Sequence, residues 1–256
     1  MNRPLALALF LLLTALAACA EKPPRSPPAP PKSAADLKPL GPCPATSWQP
    51  EAPPPAASLK TSMVLLAVGE WFRFGQQTMI YPATGAPRTE IRGVQERDAP
   101  QRINDYWRSV DRPSLSGLDT EVPWSAAFVS WDIESAGVPR ELFCPDARHT
   151  IYVERMVERA RRPGAVFIPH RPGARAPRVG DILCASRDNG GTTLENLNRG
   201  PGHCDIVVEV RPEEVHAIGG NVGDSVTRSV FPLDGNGFLA PISARSFFTV
   251  IENRLP

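Results

Sequence analysis

The sequence lacks the features that mark several large classes of protein. Its 28 Lys and Arg against 27 Asp and Glu leave a formal net charge of +1 over 256 residues. No basic field therefore argues for a nucleic-acid partner. It contains no HExxH and no double CxxC, the ligand spacings that announce zinc, and no metal is expected. No glycine-rich phosphate loop follows a predicted strand, so no nucleotide or other cofactor is expected. No segment repeats, and the apolar stretch 5–18 is too short to span a bilayer comfortably.

What the chain has in abundance is proline, 30 residues in all. Many fall between Glu21 and about Lys60, in stretches such as KPPRSPPAPPK and EAPPPAAS. Proline fixes φ and donates no N–H, so residues 19–60 read as an extended, largely disordered linker. At roughly 3.1 Å per residue it reaches up to ~100 Å. Ahead of it, residues 1–3 carry a positive charge and residues 5–18 an apolar core, the pattern of a secretory signal. Leu16-Ala17-Ala18-Cys19 resembles the lipobox of bacterial lipoproteins. That resemblance implies removal of residues 1–18, lipidation of Cys19 and attachment to a membrane through the lipid. Ala20, rather than Asp, after the cysteine implies by the same resemblance an outer-membrane site facing the periplasm. A plain secretory signal cut near Ala18 or Ala20 is the simpler alternative.

Residues 61–256 read as one globular domain. Val64, Leu65, Val68, Trp71 and Phe72 recur at helical spacing and predict a helix over 62–77. Similar spacing predicts helices over 102–110, 123–136 and 147–161, the last two stopped by Gly137 and by Pro163-Gly164. The back half changes to short β-branched runs at 180–186, 203–210, 214–222, 225–233 and 246–255. Helices followed by strands predict an α+β fold, with N-terminal helices packed on an antiparallel β-sheet. The glycine- and asparagine-rich stretch 188–202 reads as a surface loop. With Cys19 set aside, Cys43, Cys144, Cys184 and Cys204 remain, enough for two disulfides in an oxidising compartment. Three pairings are possible. The placement of Cys184 and Cys204 on neighbouring predicted strands favours Cys184–Cys204, with Cys43–Cys144 as the other bridge.

Four stretches then stand in a telling order: PWSAAFVSW (123–131) heading a helix, VGDILCAS (179–186), GHCDIVVEV (202–210) and AIGGNV (217–222). Together they resemble the CHAP and NlpC type of papain-like cell-wall hydrolase, and in particular an uncharacterised lipoprotein branch with the Trp-Ser-Ala-Ala-Phe form. The resemblance spans roughly residues 60–256. It implies a papain-like fold and cleavage of peptidoglycan amide bonds. Ser125 stands where those enzymes carry a cysteine, His203 at the base and Asn221 at the residue that orients it. A hydroxyl needs an imidazole to accept its proton, and an amide can hold that imidazole's tautomer. The helix N-terminus at Ser125 favours negative charge developing on a substrate oxygen.

Serine in place of cysteine leaves three readings. Ser125 is the nucleophile of a serine variant; or the domain is catalytically dead and binds wall peptide, glycan or an envelope protein partner; or Ser125 is an ordinary first-turn residue. A purely structural envelope tether is a further class. Cys204 follows His203 directly and points to the opposite face of its strand. Asp205 shares the face of His203 but lies roughly 7 Å along the strand, and ranks below Asn221 as the orienting group. Asn221 also suits a left-handed turn, and Gly219 stands where the family often has an acid. His149 is a substrate-side candidate, against a solvent-facing histidine in a helix capped by Asp146. Trp124 reads as core or as a substrate-binding cleft wall, and Asp181 as the pin of a strand-entry turn. Gly223-Asp224-Ser225 reads as a hairpin turn.

Overall fold

A computed structural model describes residues 40–49, 58–187, 191–197 and 199–256. The signal sequence, Cys19 and most of the proline-rich linker lie outside the described residues. Among the described residues no helix is long and apolar enough to cross a membrane.

Four helices occupy the front half: α1 (Leu59–Arg73), α2 (Pro100–Ser109), α3 (Ser125–Ser135) and α4 (His149–Ala160). α1 starts where the Ser58 hydroxyl accepts the Thr61 N–H, at 3.2 Å. Its first turn thus precedes the expected linker boundary at residue 60. The end of that linker belongs to the fold as well. Cys43 is disulfide-bonded to Cys144, Trp48 packs on the core, and Arg155 Nη1 donates to the Gly41 carbonyl at 2.6 Å.

The strands are β1 (Thr78–Ile80), β2 (Arg88–Ile91), β3 (Phe167–His170), β4 (Ile182–Ser186), β5 (Gly202–Val210), β6 (Glu214–Gly219), β7 (Thr227–Pro232) and β8 (Ser246–Asn253). They form one sheet in the order β2-β1-β7-β6-β5-β4-β8-β3. The α+β class holds, but the sheet is mixed rather than antiparallel, because β1 runs parallel to β7. Most of the domain separates those two strands in sequence, ample chain for the crossover that a parallel pair needs. β1, β2 and β3 escaped the sequence because each has three or four residues, β2 is exposed throughout, and β3 carries Pro169. Cys184 and Cys204 face each other across β4 and β5 and are disulfide-bonded. Asp181 accepts the backbone N–H groups of Arg178 and Asn253, both at 3.0 Å, and so ties the entry of β4 to the end of β8.

α3 is the centre of the fold. All eleven of its residues are buried, charged ones included, because it packs against α1, α2, β5 and β6 at once. A helix enclosed in this way shows little amphipathic periodicity. It also packs tightly just beyond β6. A Cβ added at Gly220 would lie 2.6 Å from Phe128 Cβ and from Trp124 Cζ3. Gly220→Ala should therefore force α3 off the sheet and lower stability by about 1–3 kcal/mol. A denaturant midpoint unchanged from wild type would contradict that packing.

Candidate active site

Ser125 is the first residue of α3. Its helix begins after Pro123, and the first i→i−4 bond runs from Phe128 N–H to the Trp124 carbonyl. The N–H groups of residues 125–127 precede that bond and point toward the helix entrance, where a developing oxyanion gains most. Two contacts to Glu96 hold this entrance. Glu96 Oε2 accepts Trp124 Nε1–H at 2.8 Å and Asn221 Nδ2–H at 3.0 Å. Burial raises the Glu96 pKa above the ordinary carboxylate value, partly countered by the Trp124 bond.

His149 is the first residue of α4, so two helix N-termini converge on one point. The Ser130 hydroxyl of α3 fixes their relation, donating to the Asp146 carbonyl at 3.1 Å and accepting the Asp146 N–H at 3.2 Å. Thr150 Oγ1 donates to the Gly200 carbonyl at 2.9 Å, which binds the start of α4 to the loop before β5. The outcome is a bond of 2.7 Å between Ser125 Oγ and His149 Nε2. On the far side of the ring, Nδ1 lies 2.5 Å from the Tyr152 hydroxyl. With the proton on Nδ1, the ring donates to Tyr152 and Nε2 is free to take the Ser125 proton. The opposite tautomer reverses both bonds and leaves no base.

His203 does not bond Ser125. Its Nδ1 faces Arg187 Nη2 at 3.0 Å and its Nε2 faces Asp205 Oδ1 at 2.8 Å. A guanidinium only donates, so Nδ1 accepts and Nε2–H donates to Asp205. Both ring nitrogens are thereby occupied. The His203 and His149 ring centroids are 5.5 Å apart, so His149 stands where the sequence pattern had set His203. The expected Ser125–His203–Asn221 triad is thus divided. Ser125 and His149 line one cavity of about 380 Å³, while His203 and Asn221 line a neighbouring one of about 460 Å³. Arg187 lines both.

Several further expectations need correction. Asn221 bonds Glu96 instead of an imidazole, and its φ of 58° gives it the left-handed turn role. Asp205 orients His203 despite the backbone repeat along β5, because both side chains lean together into space left by Gly219. A Cβ at Gly219 would overlap Asp205 Oδ1. Trp124 is 1 % exposed and stacks on Tyr106 at 5.7 Å, so it is core and not a cleft wall. His149 is 4 % exposed, not solvent-facing. Asp146 accepts the Arg148 N–H at 2.9 Å and does not cap α4 through His149. Gly223 and Asp224, both with positive φ, make the turn between β6 and β7. Among the described residues, no group of three or more His, Cys, Asp or Glu is placed to hold a metal ion.

Four residues of the site stand in no motif of the sequence: Glu96, Tyr152, Arg187 and Arg245. Tyr152 alone had a sequence signal, since a residue three places after His149 shares its helix face. Arg245 lies 3.6 Å from Asp205 Oδ2 and donates to the Tyr81 hydroxyl at 3.0 Å. Burial would raise the Asp205 pKa, but His203 and Arg245 outweigh it and hold the carboxyl below its ordinary value. Burial pushes His149 well below the usual histidine value, and His203, Arg187 and Arg245 push it further. Burial likewise lowers His203, to about 4, against the opposing pull of Asp205.

Both rings are therefore neutral at neutral pH. With folded values below the ordinary 6.5, each contributes stability that is present above pH 6.5 and is lost as the pH falls toward the folded value. Raised carboxyls such as Asp132 and Glu96 act in the opposite sense, so the rings are best followed directly. Ring-carbon NMR shifts of His149 and His203 should stay flat from about pH 7 to about pH 5. A titration midpoint near 6.5 for either would contradict its buried, neutral state.

Neither a curated protein nor a solved structure matches the chain. One protein-family profile does, over residues 83–252, a span that holds Ser125, His149, Tyr152, Arg187, His203 and Asp205. The chain belongs to that family, DUF2272, described as an uncharacterized protein conserved in bacteria.

Proposed function

We propose that this chain is a serine-type peptidoglycan amide hydrolase of the papain-like CHAP/NlpC kind, anchored by Cys19 in the outer membrane and facing the periplasm. One observation carries the catalytic half of this reading. A hydroxyl at a helix N-terminus lies 2.7 Å from a neutral imidazole, on the wall of a cavity of about 380 Å³. Ser125 attacks the amide carbonyl, and its proton passes to His149 Nε2. The free N–H groups at the head of α3 receive the oxyanion. His149 then delivers the proton to the leaving amine, and water repeats the sequence to release the acyl group. Tyr152 positions the His149 ring, while His203, itself bonded to Asp205, accepts from Arg187 beside it. The order of motifs supports the papain-like assignment, as does a nucleophile-bearing helix packed on strands that include β5 and β6.

One observation favours the competing reading, a non-catalytic module holding wall peptide or an envelope partner. Among the described residues no carboxylate bonds His149, and Arg187 and Arg245 oppose its protonation. Peptidoglycan sacculi incubated with the purified protein, followed by chromatography of the released fragments, separate the two. The hydrolase reading expects Ser125→Ala and His149→Ala each to slow release by about 10²–10⁴-fold. A larger loss in His203→Ala than in His149→Ala would move the base to His203. Binding of sacculi without any release by the wild type would establish the module instead.

A further inference from the structure

α1 is turned so that much of its apolar side faces outward. Of the five residues whose spacing predicts the helix, Val64, Leu65, Val68, Trp71 and Phe72, Trp71 alone is buried. The residues turned into the core are Ser62, Met63, Ala67, Glu70 and Trp71. Opposite them, Thr61, Leu65, Val68, Gly69 and Phe72 follow one another down one side of the helix, and none carries a charge. Leu65 is 52 % exposed and Phe72 57 %. A helix on the surface of a domain normally keeps polar side chains there. The edge of this stripe is cationic. Arg73, Arg102 and Arg108 border a cavity of about 620 Å³ next to Leu65 and Gly69, against Glu70 and Asp105, which leaves an excess of positive charge.

We infer that the outer stripe of α1, centred on Leu65 and Phe72, is a docking surface for an anionic phospholipid bilayer. The inference rests on the reading of Cys19 as a lipid anchor. Twenty residues separate Cys19 from Leu40, where the described chain begins, and the Cys43–Cys144 disulfide ties that junction to the domain. At roughly 3.1 Å per residue, that chain keeps the junction within about 65 Å of the bilayer. A contact made under such a tether is intramolecular, so a small apolar surface suffices. Two half-exposed side chains offer on the order of 200 Å², well below the roughly 800 Å² per partner of a stable dimer. That difference favours lipid over a second copy of the chain. The apolar stripe enters the boundary between headgroups and acyl chains, and Arg73 and Arg108 meet lipid phosphates at its edge.

The test uses the full lipidated chain in vesicles of phosphatidylethanolamine and phosphatidylglycerol, with and without a spin-labelled lipid that quenches at the headgroup–acyl boundary. A fluorophore is attached at Phe72→Cys or, as the control, at Arg161→Cys beyond α4. The quencher lipid should dim the dye at position 72 at least about twofold and leave the dye at 161 within about 20 %. Combining Phe72→Cys with Leu65→Ser should remove at least about half of that quenching, and phosphatidylcholine in place of phosphatidylglycerol should weaken it as well. Equal quenching at both positions, or none at 72, would overturn the docking surface. So would a dye at 72 already shielded in the unlipidated Cys19→Ser chain without vesicles, which assigns the stripe to the chain itself. A cross-link at Phe72→Cys that joins most copies in pairs would overturn it in favour of a second copy. Intact mass checks the anchor separately. If Cys19 carries no lipid, the anchor reading falls; flotation of the chain with the same vesicles, abolished by Leu65→Ser with Phe72→Ser, would then keep the docking surface, and no flotation would end it.

Discussion

The meeting of two helix first turns governs the rest of this structure. Ser125 and His149 each open a helix, and their side chains bond across the gap at 2.7 Å. Two positive helix ends do not attract each other, so other contacts hold them together. The Ser130–Asp146 bonds fix one side, Glu96 clamps Trp124 and Asn221 on another, and the complete burial of α3 removes its freedom to shift. Burial at this junction keeps the imidazole neutral, and the charges of His203, Arg187 and Arg245 act in the same direction.

Charge is partitioned with some care around this point. Asp205 is the carboxylate bonded in the cluster, and it lies against His203 and Arg245 rather than His149. One anion therefore faces the guanidinium groups of both Arg245 and Arg187, and a positive excess is left beside the hydroxyl. Such an excess opposes formation of an imidazolium but favours an oxyanion, so the protein alone offers a better environment for the attacked carbonyl than for the base. That asymmetry is unlike a site in which an acid supports the histidine directly.

The α+β class, the four helices and the five longer strands could be read from spacing because their apolar patterns are long enough to have a period. The short edge strands could not. Cysteine placement on adjacent strands carried over into bonded sulfurs, since paired residues on antiparallel neighbours are close by construction. The site was legible as a set of residues but not as a set of bonds. Ser125 and His203 stood in recognisable motifs, whereas His149 sits in an ordinary helix start whose proximity to Ser125 depends on how α4 docks. Backbone spacing along β5 sets His203 and Asp205 roughly 7 Å apart, and side-chain lean closes the gap to 2.8 Å. Arg187 carries no local pattern; a cavity wall assembled from five separate segments leaves none.

The space above Gly219 has an implication for how such a site can vary. The Asp205 carboxylate fills the volume that a side chain on residue 219 would need. An acid can thus be delivered to this imidazole from either of two adjacent strands, but the two deliveries are sterically exclusive. A chain with an acid at 219 has to give up the aspartate at 205, and the change must occur at both positions together.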